Sequence, residues 1–384
     1  MLRQPKYQLV ILGAEAQRFG AILVQAVKGR LDEVGDDLGR ALQVFRSGKI
    51  AQMDPIAPVV AVYFGGDVNT DAVEVTRLLV NAVPILPVVP DLSQYARLVP
   101  APLHPINGLE IDATSPDFTA VVNLVLENLS LLRRSRRLFL SYRRHESTPV
   151  AQQLRVAFDG HGYDAFLDTN SVPKSDEFQA VLWHRLLDSD VMVVLDTTDF
   201  LSSRYTQLEI ANASAMAVGM LQVLWPDVVR TEYSMLAVPL QLSAADFDGD
   251  CLNAAAIARI TTHTEALRAR CLAARHTNLV VEFCKEAANI GAKVAVQPDR
   301  YVLAELVDGR RIAAIPAVGV PDARRYHEAS ERFSMAGVDA DEAILIYDHR
   351  GMLPNWITFL DWLNEFLPVK GLRVTDTALR LGSL

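Results

Sequence analysis

The sequence predicts an α/β protein built from three consecutive doubly wound units. Three observations predict it: short, continuous apolar runs recur along the chain, amphipathic stretches separate them, and 384 residues exceed what one core organises. Apolar runs alternating with helical periods are the pattern of a parallel sheet covered on both faces. Domains of ~100–200 residues make two or three units the expectation.

In the first unit, taken as residues 1–132, the runs Tyr7–Leu12, Val59–Phe64 and Ile85–Val89 read as strands, and Phe118–Leu132 as the last helix. That helix runs into Arg133-Arg134-Ser135-Arg136-Arg137, which suits a helix C-terminus and a surface junction. The rhythm restarts in the second unit, residues 137–247. Strands are expected at Leu138–Tyr142, Tyr163–Leu167, Val191–Leu195 and Leu221–Trp225, with helices at 149–160, 176–187 and 203–217. An Ala-rich helical connector, 251–288, opens the last region, 248–384. There Arg311–Ile315, Ala343–Tyr347 and Leu372–Val374 read as strands around helices at 322–333 and 356–366. Trp356, Phe359 and Trp362 at helical spacing read as a core stripe.

A hydrophobic share of 50% against 22% charged residues fills several cores and leaves little for long tails. The net charge of -9 opposes binding to nucleic acid or an anionic membrane, and favours a small-molecule or protein partner. Cys251, Cys271 and Cys284 lack zinc-site or disulfide-scaffold spacing and read as reduced, partly buried thiols. With no signal-peptide pattern and no ~18–20-residue apolar run, the expected location is cytoplasmic. Gly65-Gly66 lacks the rest of a phosphate loop and reads as a tight turn. Neither a Gly-x-Ser-x-Gly elbow nor a His-x-x-x-His helix occurs, so serine and zinc hydrolases lack their core residues.

Three ordered segments carry the chemistry: Phe139–Arg144, then Gly162–Asp168 running into Val172–Phe178, then Ser203–Glu209. Together they resemble bacterial Toll/interleukin receptor (TIR) domains, respectively the family's first box, its second strand with the mobile BB loop, and the helix that bears its essential glutamate. The resemblance implies a flavodoxin-like domain with a parallel five-stranded sheet. It also implies hydrolysis, cyclisation or base exchange of NAD, with NAD as substrate, no cofactor and no metal.

The residue this resemblance makes catalytic is Glu209, and it makes Tyr142, Arg143, Arg144, Asp168, Phe178, Ser203 and Tyr205 substrate-binding. A fixed carboxylate would stabilise the oxocarbenium-like ribose left by departing nicotinamide. Tyr205 lies one helical turn before Glu209, so both can meet one ligand. Asp168 fits a turn cap as well as a ligand contact. Ser175 replaces the usual BB-loop glycine, and Tyr205-Thr206 the usual Trp-Cys pair. The resemblance further implies an antiphage immune effector that self-associates, up to filaments. The architecture, in which a further α/β sheet edge offers a pocket, suggests a small-molecule or protein trigger at a flanking domain, with the last region, 248–384, as the sensor. The alternatives to this effector are an enzyme making a cyclic NAD-derived signal and a non-enzymatic adaptor.

A fainter echo links Ile85–Asp91 to Leu221–Asp227 and sets Val73 opposite Glu209. The first unit then reads either as a degenerate TIR-like copy without the carboxylate, or as a chance match of α/β rhythm.

Overall fold

The computed structural model describes residues 7–34, 38–54, 57–129, 131–167, 176–200, 204–230, 235–297 and 300–383. The chain divides into two compact units, Met1–Arg134 and Ser135–Leu384.

The first unit runs β1 (Tyr7–Leu12), α1 (Ala16–Val34), β2 (Leu42–Arg46), β3 (Val59–Phe64), α2 (Ala72–Val80), β4 (Ile85–Val89), α3 (Tyr95–Leu98), β5 (Leu109–Glu110) and α4 (Thr119–Asn128). Its sheet is parallel, in the order β2-β1-β3-β4-β5. Val75 and Leu78 of α2 pack on one face of the sheet with Val10, Ala61 and Tyr63. Phe19 of α1, Phe64 and Phe118 form an aromatic cluster in which Phe118 stands edge-on to the other two rings.

The second unit begins with β6 (Arg136–Ser141), α5 (Arg144–Gly160), β7 (Tyr163–Leu167), α6 (Asp176–Asp188), β8 (Val191–Asp196), α7 (Arg204–Ala215), β9 (Gly219–Leu224) and β10 (Val238–Gln241). This sheet is also parallel and five-stranded, in the order β10-β9-β8-β6-β7. Read from its own first strand, that is the flavodoxin-like order of the first unit's sheet. A small hairpin of β11 (Phe247–Asp248) and β12 (Cys251–Leu252) leads into α8 (Ala254–Asn289), a 36-residue helix.

The shared order permits a residue-level comparison of α2 with α7. Both helices end on a left-handed alanine, Ala82 at φ 53° and Ala217 at φ 52°. Both close with the same backbone bonds, Val83 N–H to Leu78 O and Val218 N–H to Ala213 O. Matching these ends sets Glu74, not Val73, opposite Glu209. The expectation that the first unit lacks a carboxylate there is therefore corrected; an overlay on the later Pro-Asp pairs slips by one residue. Glu74 is half-buried.

The rest of the chain is β13 (Lys293–Val296), β14 (Val302–Glu305), β15 (Arg311–Pro316), α9 (Ala323–Met335), β16 (Glu342–Tyr347), α10 (Pro354–Phe366), β17 (Val369–Arg373) and α11 (Thr377–Gly382). Here the sheet is mixed: β15, β16 and β17 are parallel, but β13-β14-β15 is an antiparallel meander. The turn at Asp308-Gly309, where Gly309 takes φ +89°, joins β14 to β15. The aromatic row of α10 divides: Trp356 and Phe359 pack against the core that holds Leu360 and Leu363, while Trp362 is 52% exposed and lies outside it.

One core joins this region to the central sheet. It contains Leu182, Leu186, Ile210 and Ala213 of α6 and α7 and Met216 just after α7, together with Tyr326, Leu345 and Leu360. Helix α8 spans both sheets, through Ala256, Ile260 and Leu267 at one end and Leu279, Phe283 and Ala287 at the other. Arg268 and Arg275 lie two turns apart on it. Arg268 Nε donates to Asp190 at 2.7 Å, and Arg275 donates to the Ser189 and Leu187 carbonyls. The amino-terminal edge of the central sheet is thereby fixed to the connector. Cys251, Cys271 and Cys284 are each half-buried, and burial pushes the Cys271 thiol up to about 11. Among the described residues no helix is long and apolar enough to cross a membrane.

Candidate active site

Strand β6 ends on Ser141 at the carboxyl edge of the central sheet, where open α/β sheets bind ligands. Alternation along the strand puts Phe139 in the core with α6 and α7, while Leu138, Leu140 and Tyr142 join the core with α5 and α8. Ser141 therefore shares the face of Phe139. Helix α7 covers that face, and Glu209, Ala213 and, just past the helix end, Met216 recur at helical spacing, so the acid heads a buried stripe. Thr206 Oγ1 donates to the Phe200 carbonyl at 2.7 Å and ties the first turn of α7 to the preceding loop.

Glu209 is 3% exposed, and its Oε2 accepts a 2.6 Å hydrogen bond from Ser141 Oγ. That length is typical of a hydroxyl donating to an ionised carboxylate. A charge held out of water requires such partners, so Ser141 fixes where the carboxylate sits. A second buried acid, Asp196, closes β8 and accepts from Gln222 Nε2 at 2.6 Å. Burial raises the Asp196 pKa, and the Gln222 bond opposes that rise. The alternation that places Met192, Val194 and Met220 beside α6 and α7 puts Asp196 and Gln222 on the face of Glu209.

The other expected site residues divide. Tyr142 is buried in the α5–α8 core, on the far side of the sheet from Glu209, so the structure does not bring it to the acid. Arg143 donates to the Asp199 carbonyl at 2.8 Å and pairs with Glu146 at 3.1 Å and Asp199 at 3.4 Å. It joins the loop after β6 to the loop after β8. Arg144 begins α5, Phe178 lies in α6 and Tyr205 in α7, but their side chains lie outside the described residues. Asp168 and Ser203 lie wholly outside them. Sequence reasoning passed over Ser141, Asp196 and Gln222. The available signal was a polar residue closing or interrupting an otherwise apolar strand at the ligand-binding edge.

In the first unit the amides of Gly65 and Gly66 donate to the Val88 and Leu98 carbonyls. Both donors are used internally, as in a tight turn rather than a phosphate cradle.

A flavodoxin-like sheet with a buried helix acid at its carboxyl edge defines the class of the central domain. Residues 138–260 match the family model described as TIR domain, and the chain carries a TIR domain there. The match runs past the hairpin into the first turns of α8. Comparison with curated proteins returns no match.

Proposed function

We propose that the TIR domain of this chain cleaves the bond between nicotinamide and ribose in NAD, with Glu209 stabilising the charge that develops on the ribose. The observation that carries this reading is the buried Glu209 carboxylate, held by Ser141 at the carboxyl edge of the sheet. The C1′–N bond breaks with its electron pair leaving on nicotinamide. Water adds its oxygen to C1′ and loses a proton, giving ADP-ribose. A fixed negative charge beside C1′ lowers the barrier because it needs no reorganisation as the oxocarbenium forms. The reading extends to a self-associating immune effector, with a trigger acting on a flanking region.

The test is release of free nicotinamide by concentrated full-length protein, wild type against Glu209→Gln. The amide is nearly isosteric and still accepts from Ser141, so the fold is expected to survive. Release is expected to fall by about 100-fold or more, the scale of losing a preorganised electrostatic group. Equal release from both proteins removes Glu209 from the chemistry.

The Ser141–Glu209 bond also favours a second reading, a non-enzymatic adaptor in which the pair only locks α7 to β6. In that case neither protein releases nicotinamide, and Glu209→Gln changes stability alone. A cyclic product instead of ADP-ribose would make the domain a signal-producing enzyme.

A further inference from the structure

A cavity of about 280 Å³ lies where the last turn of α7, helix α8 and the carboxyl ends of β15 and β16 meet. Met216 and Leu279 give it an apolar wall. Its ionisable lining is balanced: Arg275 and Arg350 against Glu282 and Asp348. Arg275 is committed to two backbone carbonyls. Arg350 uses Nε and Nη2 on Asp348 and lies 4.0 Å from Glu282. Among the described residues, nothing accepts from Arg350 Nη1. The carbonyls ending α7 add partial negative charge, which suits an ammonium group.

We propose that this cavity binds a small zwitterion of the free amino-acid class, and that the ligand restrains the end of the helix bearing Glu209. A lining with no net charge favours neither an anion nor a cation, yet it offers Arg350 Nη1 for a carboxylate and Glu282, 4.0 Å from Arg350, for an ammonium. The volume falls just below the ~300–1,000 Å³ of drug-sized pockets, which selects a small metabolite. Gly351, directly after Arg350, packs so closely on Met216 that an added Cβ would stand 2.4 Å from its methyl carbon. The loop that would hold the ligand therefore already touches the residue that follows α7.

The test uses full-length protein and the twenty common L-amino acids as separate probes, read by thermal melting and by hydrogen exchange of α7 amides. Asn278→Trp changes an exposed residue at the cavity and blocks it, and Arg350→Glu reverses the carboxylate-binding charge. At about 100-fold excess over Kd, a binder is expected to raise the wild-type melting point by about 5 °C and to slow exchange at 208–218. Both effects should vanish in both variants. The proposal is overturned if no amino acid shifts the wild type, if a shift persists in both variants, or if protection misses α7. None of these readouts depends on NAD turnover, so failure here is distinguishable from failure of the Glu209 reading.

Discussion

Replacing Arg268 with Met should destabilise the Ser135–Leu384 unit more than any ordinary surface change. The Arg268 and Asp190 side chains are both fully buried and 2.7 Å apart. Removing the cation leaves Asp190 charged, out of water and without its strongest partner. Breaking such a buried pair costs about 3–5 kcal/mol. For a domain of roughly 150–250 residues each kcal/mol moves the melting point by about 2–4 °C, so a fall of roughly 6–20 °C is expected. The assay is thermal and urea unfolding of wild type, Arg268→Met, and Arg268→Met combined with Asp190→Leu. In the double variant no ion is stranded, and the backbone bond from the amide at 190 to the Arg137 carbonyl remains available. It should recover at least half the loss. A single variant within about 1 kcal/mol of wild type, or a double variant less stable than the single, would refute the reasoning.

Two further outcomes are expected. Ser141→Ala removes the hydroxyl that donates to Glu209 and should lower nicotinamide release by roughly 10-fold at full occupancy, the scale of ~1.5 kcal/mol for a hydrogen bond to a charged group, while melting shows a folded protein. Asp246 accepts from Arg259 and from Ser243, which hold its pKa down to about 2. A depressed carboxyl stabilises the fold above its unfolded value near 3.8 and loses that contribution as pH falls toward 2. Urea midpoints measured from pH 6 to 2 should therefore fall less steeply in Asp246→Asn than in wild type, and parallel curves would contradict the assignment.

The long buried strands were legible because continuous apolar runs have few alternatives inside a covered sheet, whereas the short, partly exposed edge strands Leu42–Arg46, Leu109–Glu110 and Val238–Gln241 carry no such run and were not. Asp176–Asp188 and Arg204–Ala215 fall within two residues of the expected limits, whereas α5 begins at Arg144, five residues before the expected start at 149. The antiparallel β13–β14 pair was not legible, because Lys293–Val296 is largely exposed and lacks a long apolar run. One-residue ambiguities did the rest. Ser141 and Tyr142 are adjacent, yet strand alternation sends them to opposite faces, and only the first meets Glu209. The same slip separates Val73 from Glu74. Pairs such as Arg136 with Glu265, or Arg268 with Asp190, join residues far apart in sequence, and no local spacing announces them.

The two sheets of identical order differ in what stands at the end of their first strands. In each, an acid contributed from the segment after the third strand reaches the end of the first strand. In the first unit the acid is Asp71, whose Oδ2 accepts from the Gly13 amide at 2.9 Å. Gly13 takes φ +98°, and a Cβ there would stand 2.0 Å from the Phe64 carbonyl oxygen, so the strand end is closed by backbone. In the TIR domain the acid sits deeper in its helix and meets a side-chain hydroxyl instead. A hydroxyl can rotate, exchange partners and be replaced without rebuilding the chain, whereas a backbone amide in a tight turn is fixed. The difference between a closed strand end and a usable one therefore rests on the residue that ends the first strand. On that argument Glu74, although matched to Glu209 by helix register, has no Ser141 counterpart: Leu12 ends β1 where Ser141 ends β6.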